Sequence, residues 1–121
     1  MKKFKINLFI MNNKKDKKIS PYLLHELITE IQYNVDMKLI ELVKYASKVS
    51  KYYLRKKLPE NDIVKYKKIL KNERFLSDLV MYALKNKIET EKELQNLKFK
   101  VIENLNEIEQ LYKEIYFNLK K

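Results

Sequence analysis

Residues 90–119 read TEKELQNLKFKVIENLNEIEQLYKEIYFNL. The apolar positions Leu94, Leu97, Val101, Leu105, Ile108, Tyr112, Ile115 and Leu119 recur every three or four residues, which is the period of one helical face. Thr90 followed by Glu93 fits a capping box, in which the threonine oxygen and the glutamate carboxylate satisfy the free backbone amides of a helix start. About 30 helical residues would span roughly 45 Å, which is long for a small bundle. Part of this stripe is therefore expected to remain uncovered and to dock a partner or a second copy, through Leu97, Val101, Leu105, Ile108, Tyr112 and Ile115. Complete cover by the other helices is the alternative.

The rest of the chain is consistent with an all-α bundle. It has 121 residues, enough for one modest core, with 45% hydrophobic and 36% charged residues. It contains no glycine, which disfavours tight hairpins and phosphate-cradling loops, since both need positive φ at low cost. It contains no cysteine, so disulfides, thiolate nucleophiles and cysteine-ligated zinc are excluded. The run Ile6–Met11 is shorter than a signal-peptide core and far shorter than a membrane span, so a cytoplasmic protein is expected.

Ser20-Pro21 marks a helix start, because serine caps the first amides and proline tolerates the first helical position. That helix would bury Leu23, Leu24, Leu27, Ile28 and Ile31 and yield near Asn34–Asp36, with Asp36 capping a second helix. The second helix would carry Leu39, Ile40, Val43, Ala46, Tyr53 and Leu54 and stop before Pro59. A third, from about Asn61, would carry Ile63, Val64, Ile69, Leu70, Leu76, Leu79, Val80 and Ala83 and bend near Asn72. Upstream, Lys3–Ile10 alternates polar and apolar residues, the period of a half-buried strand, with a disordered arm as the alternative. The expected organisation is a basic arm over residues 1–19 and a single bundle of about four helices over residues 20–121, ending in the long helix.

The net charge of +11 is unevenly placed. Residues 1–18 hold seven lysines against one aspartate, residues 38–74 twelve bases against four acids, and residues 75–121 balance eight against eight. Lys44, Lys48, Lys51 and Arg55 fall at i, i+4, i+7 and i+11 and so share one face of the second helix. Lys67, Lys71 and Arg74 repeat the pattern on the third, and Lys56 and Lys57 lie in the turn between. Tyr45, Tyr52 and Tyr66 neighbour these bases, an arrangement that suits stacking on exposed nucleobases. Lys44, Lys48, Lys51, Arg55, Lys56, Lys67, Lys71 and Arg74, with Tyr52 as the aromatic, form the candidate nucleic-acid surface. The competing reading is a solvated face with tyrosines at the core edge.

No catalytic constellation accompanies the charge. His25 is the sole histidine, no Glu-x-x-His pair of the helical di-metal type occurs, and no serine stands in a nucleophile elbow. No enzymatic activity, metal, cofactor or small-molecule substrate is expected.

Two stretches resemble known families. Ser20–Lys57, opening on Leu23–Leu27 and closing on Lys48–Lys57, is similar to the small helical subunit of type III CRISPR effector complexes, which implies basic helical faces lining guide and target strands. The Ala-Gly-Arg typical of that family is replaced by Tyr53-Leu54-Arg55. Leu79-Val80-Met81-Tyr82, Asn86-Lys87-Ile88 and His25-Glu26-Leu27 resemble parts of pediocin-type bacteriocin immunity proteins, which are small basic four-helix bundles, but the glycines that usually follow their fourth helix are missing. Each likeness covers less than half the chain, and neither family is adopted. The function expected from the residues is a non-catalytic nucleic-acid-associated subunit or accessory factor of a larger complex. The alternative is a small protein-binding inhibitor or immunity-type factor acting through helix contacts.

Overall fold

A computed structural model describes residues 17–120; the alternating stretch Lys3–Ile10 lies outside them. Four α-helices follow in order: α1 (Pro21–Glu41), α2 (Val43–Leu54), α3 (Glu60–Tyr82) and α4 (Glu91–Leu119), with a π-helical turn over Ala83–Lys87 continuing α3. The local start signals act as expected. The Ser20 hydroxyl accepts from the Leu23 amide at 3.3 Å, and the Thr90–Glu93 capping box closes with both hydrogen bonds at 3.2 Å. Glu93 also accepts from the Glu89 amide at 2.7 Å.

The cross-chain pairs give the topology. Lys18 forms an antiparallel bridge with Thr90, and the amides of Ile19 and Glu91 donate to the carbonyls of Glu89 and Lys17, each at 2.9 Å. Lys17 and Lys18, expected in a solvated arm, thus tie the chain to the α3–α4 connection. Farther along, Lys38 meets Glu109 and Tyr45 meets Tyr116. Partners of α1 and α2 therefore advance in the same direction along α4, so α1 and α2 form one kinked rod parallel to it. Asp62 pairs with Asn118, Lys65 with Glu114 and Lys68 with Glu107, so α3 runs antiparallel. The bundle is three rods, up, down and up.

This tandem arrangement covers α4. Its 29 residues reach about 43 Å, and the 34-residue span from Pro21 to Leu54 is long enough to flank all of them on one side while α3 flanks the other. Leu97, Val101, Leu105, Ile108, Tyr112 and Ile115 are all buried, between 0% and 8% exposed. The expectation that this stripe docks a partner is corrected accordingly: it is the core of the folded chain.

The kink falls at Leu42 rather than near Asn34–Asp36. Val35 is buried at 4%, so the helix continues through this segment to bury it, and Asp36 accepts from the Gln32 side-chain amide at 2.8 Å instead of capping a helix. The modest helix propensity of Asn and Asp is outweighed by packing. Leu42 has φ −88° and ψ 0°, and its amide is shared between the carbonyls of Lys38 and Leu39. The buried stripe nevertheless continues across it, through Leu24, Ile28, Ile31, Val35, Leu42 and Val49. This phase leaves Leu23, Ile40, Val43 and Leu54 exposed, contrary to expectation. On α3 the inward positions are Asp62, Tyr66, Ile69, Leu76 and Val80, while Val64 and Leu70 face outward and the helix passes Asn72 unbroken.

Candidate nucleic-acid interface

Val49, fully buried, fixes the rotation of α2, so the face carrying Lys44, Lys48, Lys51 and Arg55 points away from the core. Lys44, Lys51 and Arg55 are exposed and Lys48 is partly covered. Eleven residues separate the ends of the row, a span of about 16 Å. Such a row matches an extended polyanion better than a compact ligand.

The distribution of ion pairs separates two kinds of base. Lys38 pairs with Glu109 at 2.8 Å and Glu41 at 3.5 Å, Lys65 with Glu114 at 3.4 Å, Lys68 with Glu107 at 2.9 Å, and Lys113 with Glu109 at 2.8 Å. The hydrogen bonds from Lys113 and then Lys38 hold the Glu109 carboxyl below the usual carboxylate range and raise both lysines. These bases are neutralised on the bundle. Among the described residues, no carboxylate pairs with Lys44, Lys48, Lys51, Arg55, Lys56, Lys67, Lys71 or Arg74. Their charge faces solvent uncompensated.

The aromatic component differs from the expectation. Tyr66 is 8% exposed and packs on Tyr53 at a ring separation of 4.7 Å, so it is a core residue and cannot stack on a base. Tyr52 is half-buried with the Lys48 ammonium 5.8 Å from its ring centre. Lys48 also sits 5.3 Å from Tyr116, on α4, and Lys120 lies 5.4 Å from the same ring. Tyr45 has Lys44 at 5.1 Å and Lys113 at 6.0 Å. Tyr45, Tyr116 and Phe117 form an edge-to-face cluster, with centroids 4.9 to 6.4 Å apart. The rings hold extended lysines in place by cation–π attraction, which lowers the entropy those side chains lose on meeting a phosphate.

The α2 row thus continues onto the C-terminal end of α4 through Lys120, Tyr116 and Phe117, with the ion-paired Lys113 at its edge, which sequence reasoning missed. A readable signal was present, since Lys113, Tyr116 and Lys120 fall at i, i+3 and i+7 on one helical face. It was masked by the overall charge balance of that segment. On the other side, Lys56 and Lys67 meet at an open groove of about 520 Å³ with Tyr53, Leu54, Leu58 and Ile63. Lys71 and Arg74 follow about 6 Å and about 10 Å farther along the outer face of α3. The structure therefore joins Lys67 to Lys56 rather than to the α2 row.

Among the described residues no cluster of three or more His, Cys, Asp or Glu side chains could hold a metal ion, and no helix is long and apolar enough to cross a membrane. No protein-family model, curated protein or solved structure matches the chain, so neither likeness read from the sequence gains support by comparison.

Proposed function

We propose that the chain is a non-catalytic, nucleic-acid-associated accessory factor or subunit of a larger cytoplasmic complex, and that the α2 row meets phosphates. The observation that carries this reading is the segregation of charge: Lys38, Lys65 and Lys68 are ion-paired to α4, while the row Lys44, Lys48, Lys51 and Arg55 has no carboxylate partner among the described residues. Phosphates binding to this row would release counterions, so the logarithm of affinity should fall linearly with that of salt concentration. Fluorescence anisotropy with labelled single-stranded RNA, single-stranded DNA and duplex DNA across a salt series tests this. Micromolar or tighter binding with a slope of several phosphates is expected. No binding, or equally weak binding to all three that vanishes near physiological salt, would contradict it.

A second reading, a protein-binding inhibitor or immunity-type factor, draws on a different surface. Tyr33, Met37 and Ile40 are 61%, 43% and 62% exposed and lie one turn apart along the outer face of α1. Under that reading Ile40→Asp abolishes function and leaves oligonucleotide binding untouched.

A further inference from the structure

Phe117 stands apart from the aromatic residues around it. Tyr45, Tyr52 and Tyr116 each carry a lysine ammonium within 6.0 Å of the ring centre, whereas among the described residues no such group is placed over Phe117. Its side chain is also half exposed, at 51%. The ring makes edge-to-face contacts with Tyr116 at 5.4 Å and Tyr45 at 6.4 Å. A half-exposed apolar ring, with no ammonium of the described residues over it, therefore sits beside lysine-bearing tyrosines.

Beside it lies an open groove of about 580 Å³ bordered by Asn106, Glu109, Gln110, Lys113, Glu114 and Phe117. Its two carboxylates do not oppose an anion at full strength. Glu109 is held between Lys38 and Lys113, and Glu114 accepts from Gln110 at 3.0 Å and pairs with Lys65. The Lys113 and Lys38 ammonium groups lower the Glu109 carboxyl, and the Gln110 amide and Lys65 lower that of Glu114. The Asn106 side chain also borders the groove, while the Gln110 amide is engaged with Glu114.

We propose that Phe117 is a stacking platform for one unpaired base, and that the polymer recognised is single-stranded nucleic acid. This rests on the reading of the α2 row as a phosphate-binding surface. A duplex keeps the faces of its bases stacked on one another and offers only phosphates, sugars and base edges, so it would leave the Phe117 ring without a stacking partner. A single strand satisfies both halves of the site, its phosphates meeting Lys44, Lys48 and Lys120 while a splayed base covers the ring. Stacking on an aromatic ring tolerates every base, so little sequence preference is expected.

The full-length protein is titrated with a labelled dT12 strand, an abasic strand of the same length, and a duplex with matched phosphate number. Wild type should favour dT12 over both others. Phe117→Ala should weaken dT12 binding by roughly tenfold, leave the abasic strand unaffected, and leave the salt slope unchanged. The chain has no tryptophan, so Phe117→Trp introduces a single reporter whose emission should be quenched by dT12 and not by the abasic strand. Equal affinity of wild type for dT12 and the abasic strand, an unaltered Phe117→Ala affinity, or preference for the duplex would overturn this inference while the phosphate-binding reading stands. Failure to bind any of the three would overturn both.

Discussion

Glu73 occupies an inward position in the α3 repeat, between Ile69 and Leu76, where an apolar residue would be the default. Its carboxylate is partly buried and accepts from the Tyr112 hydroxyl at 3.3 Å. Burial pushes the carboxyl above its ordinary range, and the tyrosine hydrogen bond opposes this incompletely; Tyr112 is itself pushed up, first by burial and then by the Glu73 charge. A carboxyl raised in the folded state stabilises the fold most when protonated, and that contribution is lost as pH rises through the raised value. Glu73→Gln keeps an oxygen for Tyr112 and removes the charge. It should stabilise the protein at pH 7 by about 0.5 kcal/mol after allowance for partial exposure, and the gap to wild type should close below about pH 4. Denaturant melts across this range check it; a constant difference at every pH would contradict the assignment. The second inward polar residue, Asp62, is 1% exposed and accepts from the Asn118 amide at 2.9 Å. Together the two pairs fix the register of α3 on α4, since sliding either helix by a turn would separate buried polar groups from their partners.

At the scale of elements, the end of α2 shows what a chain without glycine does at a helix terminus. The Lys57 amide donates to the Tyr52 carbonyl at 2.8 Å and the Lys56 amide to the Tyr53 carbonyl at 2.9 Å, the pattern of a Schellman cap. Such a cap needs a left-handed residue, and Lys56 takes it at φ 58°. A side chain there costs about 1 kcal/mol that glycine would not. Lys56→Gly should therefore raise stability by about 0.5–1 kcal/mol in chemical denaturation, and destabilisation would show that Lys56 makes compensating contacts. Helix boundaries with a chemical signature were legible in the sequence: Ser20-Pro21, Pro59 and the Thr90–Glu93 box all act where they stand. The α1–α2 boundary was not, because Leu42 is neither a capping residue nor a helix breaker, and its kink is compatible with an apolar stripe that runs on uninterrupted. Asn34 and Asp36, which look like a break, are an ordinary part of the outer surface of α1.

At the scale of the molecule, the direction of the first two helices decides what surface is left for function. Residue spacing reports which face of a helix is apolar and says nothing about whether successive helices reverse or continue. Had α1 and α2 folded back on each other, they would have covered half of α4 and exposed the rest; continuing as one rod, they bury it from Leu94 to Ile115. The basic row was legible because its spacing is a property of one helix, whereas its extension onto Tyr116, Phe117 and Lys120 required knowing that α2 lies beside the end of α4. The result is a bundle in which Lys38, Lys65 and Lys68 are ion-paired to α4 and the bases of the α2 row have no carboxylate partner among the described residues. The central claim, that this row and not net charge binds nucleic acid, is tested most directly by Lys51→Glu/Arg55→Glu, which spares the lysines held over tyrosine rings. The control is Lys85→Glu/Lys100→Glu, which changes the net charge equally on exposed residues near the opposite end of the bundle. Oligonucleotide anisotropy at fixed ionic strength should show affinity lost by at least tenfold in the first variant and nearly kept in the second, with unchanged thermal melts. Equal losses in both variants, or none in the first, would contradict the account.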